Sequence, residues 1–201
     1  VKADGKIMPP KALKRWAQRI LAIREIRANL KEMRSYGATV TYFPVDVTDG
    51  AIVEEKLQHI QKKWGAITGL IHGAGVLADK LIAEKSIDDF NWVFDVKIRG
   101  MGALLSCIDL KKLKLLCFFS SVAARTGNEG QSDYAAANEV LNRMAHSLKQ
   151  SHPHISVHSI GWGPWEGGMV TPELKKYFTD KGVHLIPLEE GAELFLKELN
   201  E

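Results

Sequence analysis

Apolar residues recur along this chain with two different spacings, and the changes of spacing set the expected elements. Leu13, Trp16, Ile20, Ile23, Leu30 and Met33 fall roughly on one side of a helix, and Gly37 closes that pattern. The stretch 38–47, ATVTYFPVDV, is rich in β-branched and aromatic residues and predicts a strand of about six residues. Asp49 is placed to cap a helix through Ile52, Leu57 and Ile60 that ends near Gly65. ITGLIHGAG (67–75) reads as a short apolar strand breaking into a glycine turn. Ser86, with Asp89 three positions on, opens a helix through Phe90, Val93, Phe94 and Leu104. KLLCFFSS (114–121) is a further apolar strand, and DYAAANEVLNRMAHSLKQ (133–150) is a helix stopped by Pro153. ISVHSIGWG (155–163) is the last strand expected, before two short helices in TPELKKYF and LEEGAELFLKEL. The first ten residues, VKADGKIMPP, read as a linker.

The order is one helix, then strand and helix in alternation, four times. Buried strands alternating with amphipathic helices predict an α/β fold, a doubly wound parallel sheet covered on both faces. There is no internal repeat and no low-complexity segment.

Composition narrows the class. Of 201 residues, 45% are hydrophobic and 25% charged, which suits a globular domain able to bury a core. A net charge of +3 with no block of basic residues gives no footprint for nucleic acid. Lys11, Lys14, Arg15, Arg19 and Arg24 crowd the first helix, as a solvated face or as a binding patch. Cys107 and Cys117 have no metal-like partner at short spacing, so reduced thiols and a cytoplasmic location are expected, and no metal site. No apolar run reaches the roughly 18 residues of a membrane span, so no membrane partner is expected either.

In a doubly wound sheet, ligands bind beyond the carboxyl ends of the strands. There the sequence offers Asp46-Val47-Thr48-Asp49, His72-Gly73-Ala74-Gly75, Ser120-Ser121, and Gly161-Trp162-Gly163-Pro164-Trp165. Tyr134 and Asn138, four apart, share one face of a helix start. Lys97 lies on the preceding long helix. A tyrosine hydroxyl, with a pKa of about 10, is a poor acid at neutral pH, and a nearby ammonium is expected to lower it. With Ser121 holding a substrate oxygen, such a set suits carbonyl reduction, in which hydride reaches carbon and a proton reaches oxygen. Spacing alone leaves Lys97 as a surface lysine, Tyr134 as a half-buried aromatic, Asn138 as a surface amide and Ser121 as a strand-end cap.

These stretches resemble a known family. VDVTD (45–49), ITGLIHGAGVLADK (67–80), FDVKIRG (94–100), FFSSVAARTGNEGQSDYAAANEVLN (118–142) and GWGPWEGGMV (161–170) are similar to the ketoreductase domains of type I polyketide synthases and, most closely, of polyunsaturated fatty acid synthases. These belong to the short-chain dehydrogenase/reductase superfamily, with a Rossmann-like fold. The resemblance implies a catalytic serine at Ser121 and a proton donor at Tyr134. It also implies the exchanged positions of lysine and asparagine that mark synthase ketoreductases, here Lys97 and Asn138. For the cofactor, NADPH, it implies Asp46 and Val47 against the adenine, His72, Gly73, Ala74 and Gly75 beside the adenine ribose, and Pro164 along the nicotinamide. Residues 1–36 are expected as linker and crossover helix, and 37–201 as the catalytic domain. The family's TGG-type turn, which receives the pyrophosphate at a helix N-terminus, has no counterpart in these 201 residues. The expected fold is therefore N-terminally incomplete, and cofactor binding by these residues alone is expected to be weak.

The expected function is reduction of a β-ketoacyl thioester on an acyl carrier protein to the β-hydroxyacyl form. The expected partners are that carrier and the other domains of a multidomain synthase. A catalytically silent structural domain of such a synthase is the alternative. One product class of these ketoreductases carries a tryptophan where this chain has Thr126. The other carries Leu-Asp-Asp where this chain has Leu77-Ala78-Asp79, so the D-configured hydroxyl is expected.

Overall fold

The computed structural model describes residues 2–3, 6–7, 9–168, 170 and 172–200. Met169 and Thr171, within the expected nicotinamide segment and the following helix, lie outside them, as do Val1, Asp4, Gly5 and Met8 of the expected linker. The chain parts into two compact units, Val1–Pro44 and Val45–Glu201.

In the first unit, β1 (Lys2–Ala3) and β2 (Lys6–Ile7) pair antiparallel inside the segment expected as linker. Helix α1 (Pro10–Ser35) begins with a proline, whose missing N–H would be unsatisfied in the first turn anyway. It ends where Gly37 N–H donates to Arg34 and Ala38 N–H to Met33. Its predicted apolar side is half exposed at Trp16, Ile23 and Met33. The strand expected over 38–47 is not formed; residues 38–46 have no regular structure. A strand exists only through a neighbour's N–H and C=O groups. No described strand pairs with this segment.

The second unit is built on a parallel sheet of β3 (Gly69–His72), β4 (Leu115–Ser121) and β5 (Ser156–Trp162), in that order. β4 is central, which explains its uninterrupted apolar run: both faces and both edges are covered. Register sets His72 opposite Phe118, and Ser121 opposite Trp162. β4 and β5 thus end together, running beyond β3. No described strand pairs with the outer edge of β3, where Ile71 is half exposed.

Helix α2 (Gly50–Trp64) opens as expected, the Asp49 carboxylate accepting from Ile52 N–H at 3.1 Å. Helix α3 (Ile87–Ser106) carries the expected capping box, in which Ser86 and Asp89 satisfy each other's backbone N–H. Lys80 adds an ion pair to Asp89 at 2.7 Å. A single turn, α4 (Ala123–Thr126), follows β4 directly, and α5 (Ser132–Ser151) stops just short of Pro153. α3 packs on α5, and α5 on β4 and β5. Between them lies the core of Leu116, Phe118, Met101, Leu141 and Val157. Each fully buried Leu or Phe contributes about 1.5–3 kcal/mol.

On the sheet's other face, Phe119 meets Trp162 and Phe195 of α7 (Leu188–Asn200), at 5.7 and 5.3 Å between ring centres. Helix α6 (Pro172–Asp180) precedes α7. Trp165 stands edge-on to Trp162 at 4.8 Å and fills the space beside Gly191 of α7. Bonds from Ile186 N–H to Pro164 and from Glu166 N–H to Ile186 fix the segment after β5. A methyl group on Gly191 would come within 2.4 Å of the Trp165 ring, which is rigid and cannot yield locally. Gly191→Ala is therefore expected to cost about 1–3 kcal/mol of overpacking. At roughly 2–4 °C per kcal/mol for a domain of this size, scanning calorimetry should find a clearly lower unfolding midpoint. An unchanged midpoint would mean that α7 does not dock on Trp165.

Candidate active site

β4 delivers two serines. Ser120 points into the α5 side and donates to the Asn138 carbonyl at 3.3 Å; Ser121, at the strand end, accepts from Ala123 N–H at 3.2 Å. Because α4 takes only one turn, the chain returns at once to start α5. Tyr134 lies in its first turn and Asn138 one turn later. Asn138 is fully buried: its amide N–H donates back to the Tyr134 carbonyl at 2.8 Å, and its Oδ1 has no partner among the described residues.

Lys97 enters from α3. It is 3% exposed, its Nζ donates to the Phe119 carbonyl at 3.0 Å, and it stands 5.4 Å from the centre of the Tyr134 ring. Burial pushes its pKa down to about 8. Beneath it, buried His72 bonds through Nε2 to the Lys97 carbonyl at 2.9 Å and so fixes this part of α3 to the end of β3. Burial, first, and the Lys97 charge lower the His72 pKa to about 4, against the favourable bond to the Lys97 carbonyl. The ring is therefore neutral at physiological pH and donates to that carbonyl.

Tyr134 departs from the sequence-based expectation of a lowered pKa. Burial raises it and outweighs the Asn138 and Ser121 side chains, which favour the phenolate; the Asp79 carboxylate raises it further. The Lys97 ammonium faces the ring while donating a hydrogen bond to the Phe119 carbonyl. The four residues Lys97, Ser121, Tyr134 and Asn138 thus converge, with the tyrosine kept protonated at neutral pH.

The loop between β3 and α3 forms one wall. Gln131 donates to the Asp79 carboxylate at 2.9 Å, and Lys80 N–H to the Gly130 carbonyl at 3.1 Å. Gly130 has φ +80°, a conformation that a side chain would strain, and its Cα lies close to the Lys80 backbone. Sequence reasoning passed over Lys85 and Asp133, which form a buried ion pair at 2.7 Å beside this wall. They are 48 residues apart, and no local spacing announces such a pair.

Of the expected cofactor residues, Asp46 and Val47 precede α2, His72 to Gly75 end and follow β3, and Pro164 follows β5. Asp46 is exposed, accepts from the Thr48 N–H and hydroxyl at 2.9 and 2.8 Å, and has its pKa lowered by those bonds. Val47 packs against Gly100 of α3, so closely that a Cβ there would lie 2.7 Å from its methyl. Gly73, Ala74 and Gly75 follow buried His72. A Cβ on Gly73 would meet nothing nearer than Phe119 at 4.0 Å, so its backbone borders open space. Pro164 follows β5. An open glycine turn and an orphaned buried acceptor on Asn138 fit a flat ligand carrying hydroxyl groups.

A family model described as "KR domain" matches residues 17–167. One polyunsaturated fatty acid synthase subunit from Thraustochytrium sp. is 40% identical over 191 residues, 94% of this chain and 7% of that protein. Polyketide synthase PksN of Bacillus subtilis is 33% identical over 181 residues, 85% of this chain and 3% of that protein. The chain therefore spans only a small part of these relatives' length. The crystal structure of a ketoreductase domain from the bacillaene assembly line superposes with a TM-score of 0.74 at 33% identity, covering 86% of this chain and 43% of that one. The chain therefore belongs to the KR domain family, found in polyketide and polyunsaturated fatty acid synthases, and has the Rossmann-like α/β fold of their ketoreductase domains.

Proposed function

We propose that the chain reduces a β-ketoacyl thioester, presented on an acyl carrier protein, to the β-hydroxyacyl form with NADPH, within a multidomain cytoplasmic synthase. Among the described residues, no helix is long and apolar enough to cross a membrane. The observation that carries the proposal is the placement of a protonated, half-buried Tyr134 between Ser121, Asn138 and Lys97. Asp46, Val47, His72, Gly73, Ala74, Gly75 and Pro164 would hold the cofactor along the strand ends. When bound, the nicotinamide supplies hydride to the ketone carbon.

The chain's own residues handle the oxygen. As the carbonyl oxygen gains negative charge, the Ser121 hydroxyl donates a hydrogen bond to it and Tyr134 gives it a proton. Phenolate is left on Tyr134, where the buried ammonium of Lys97 offsets its charge. Lys97 then returns a proton to the phenolate and regains its own from solvent, while Asn138 holds the tyrosine backbone in place. Burial serves two ends here: it keeps the phenol protonated beforehand, and it strengthens the attraction between phenolate and ammonium once they form.

Tyr134→Phe removes one hydroxyl and should leave the fold intact. Reduction by the intact polypeptide should fall at least roughly 100-fold, the usual minimum for losing a general acid; a near wild-type rate would refute the assignment. A second expectation concerns pH. As pH rises through about 8, Lys97 loses its proton while Tyr134 keeps its own. The ammonium is then no longer available to stabilise phenolate, and kcat for reduction should decline on the alkaline side with a midpoint near 8. His72 stays neutral across this range and adds no limb. Measured across neutral and alkaline pH, the decline should disappear in Lys97→Met; its persistence would take Lys97 out of the mechanism. The third expectation is stereochemical. With Asp79 on the wall facing Tyr134, the product should be the D-configured alcohol, and chiral chromatography finding mainly the L alcohol would show that this wall does not steer the substrate.

A further inference from the structure

Two charged side chains beside the site are buried without a part in the proposed reaction. Lys85 ends the loop between β3 and α3, and Asp133 directly precedes Tyr134 on α5. Their side chains are 3% and 1% exposed, and Nζ lies 2.7 Å from Oδ2. Lys85 also donates to the Ala78 carbonyl at 2.7 Å, while the other carboxylate oxygen of Asp133 accepts from Tyr134 N–H at 2.8 Å. A continuous polar path therefore runs from Ala78 through Lys85 and Asp133 to the backbone of the proton donor.

A buried ion pair is weak evidence for stability, because desolvating both charges roughly cancels their attraction, and an apolar pair of equal volume holds a fold as well. What the pair adds is direction. The first N–H groups of a helix have no partner within it, and the residue before α5, Gln131, makes no side-chain cap. Asp133 supplies that partner at Tyr134 and places negative charge at the positive end of the helix. The position of its carboxylate is in turn set by Lys85, which is held by the loop. Asp79 lies within this loop, one residue beyond Ala78, and meets the start of α5 through Gln131.

We propose that Lys85 and Asp133 are positioning residues that hold the Leu77-Ala78-Asp79 wall at a fixed distance from Tyr134, so that the choice of ketone face and the delivery of the proton are set together. The proposal rests on the ketoreductase reading and extends it to two residues that do not touch the substrate. The expected cofactor residues lie outside the path, so disturbing the pair should alter turnover and product configuration and leave cofactor affinity alone.

The test is the double substitution Lys85→Met with Asp133→Asn in the intact polypeptide. It removes both charges together, keeps volume, and keeps an amide oxygen for Tyr134 N–H; only the tie to the loop is lost. kcat should fall roughly 10- to 100-fold, the scale of a misplacement near 1 Å, with KM for NADPH unchanged and the enantiomer ratio eroded at least about tenfold. The ratio is read per molecule of product, so it does not depend on how much enzyme is folded. If the double variant yields no folded protein, the isosteric Asp133→Asn is read on the same scale. Wild-type kcat and ratio in the variant overturn the proposal, and a fall in kcat with the ratio preserved overturns the coupling. Wild type and Tyr134→Phe are assayed alongside. If the wild type reduces no β-ketoacyl thioester, or Tyr134→Phe keeps its rate, the ketoreductase reading fails and the proposal with it. If both controls behave as expected and the double variant matches wild type, only the role of the pair fails.

Discussion

The Phe119 carbonyl at the end of β4 is where packing and chemistry join. It accepts a hydrogen bond from Lys97, the buried ammonium that faces Tyr134, at a point where β4 is fixed by its pairing to β5. Successive side chains leading to this carbonyl face opposite ways: Phe118 fills the core beneath α3 and α5, and Phe119 meets the aromatic group on the other face. Two residues further on stands Ser121. A shift of β4 along its axis by one residue would invert both faces, taking the Phe119 carbonyl from Lys97 and Ser121 from Tyr134. The geometry of the site is thus a consequence of sheet register, maintained by residues that never approach a substrate.

Much of this was legible because it is local. The apolar run 115–119 can only be an inner strand, and Ser86 with Asp89 can hardly be other than a helix start; both rules act within a few residues. The stretch 38–47 obeys the same local rule for a strand and yet is not one, since a strand's hydrogen bonds belong to its neighbour. The convergence of Lys97 with Tyr134 was suggested by type and resemblance, but the direction of the tyrosine's pKa was not, because burial is a property of the packed molecule. Lys85 and Asp133 escaped for a related reason. Each looks like an ordinary surface charge in its own segment, and only the folded chain brings them within 2.7 Å and removes water from both.

The titrating groups illustrate one environment acting oppositely on different chemistries. Desolvation penalises charge of either sign, so it raises the tyrosine, which is charged when deprotonated, and lowers the lysine and the histidine, which are charged when protonated. Tyrosine and lysine are thereby brought out of their ordinary order in water, so that the phenol holds its proton while the ammonium beside it can give one up. His72 is carried further, to a state with no charge in the working range. A ring that is neutral at physiological pH beneath the middle of α3 can serve as a strut without competing with Lys97 for the role of cation.

The outer edge of β3 bears on the site in the same way as the register of β4. Its backbone N–H and C=O groups have no partner among the described residues, beside a half-exposed Ile71. That edge runs directly into His72 and the stretch 73–75. Any strand paired there would therefore set, through its own register, where the glycine backbone stands relative to Ser121.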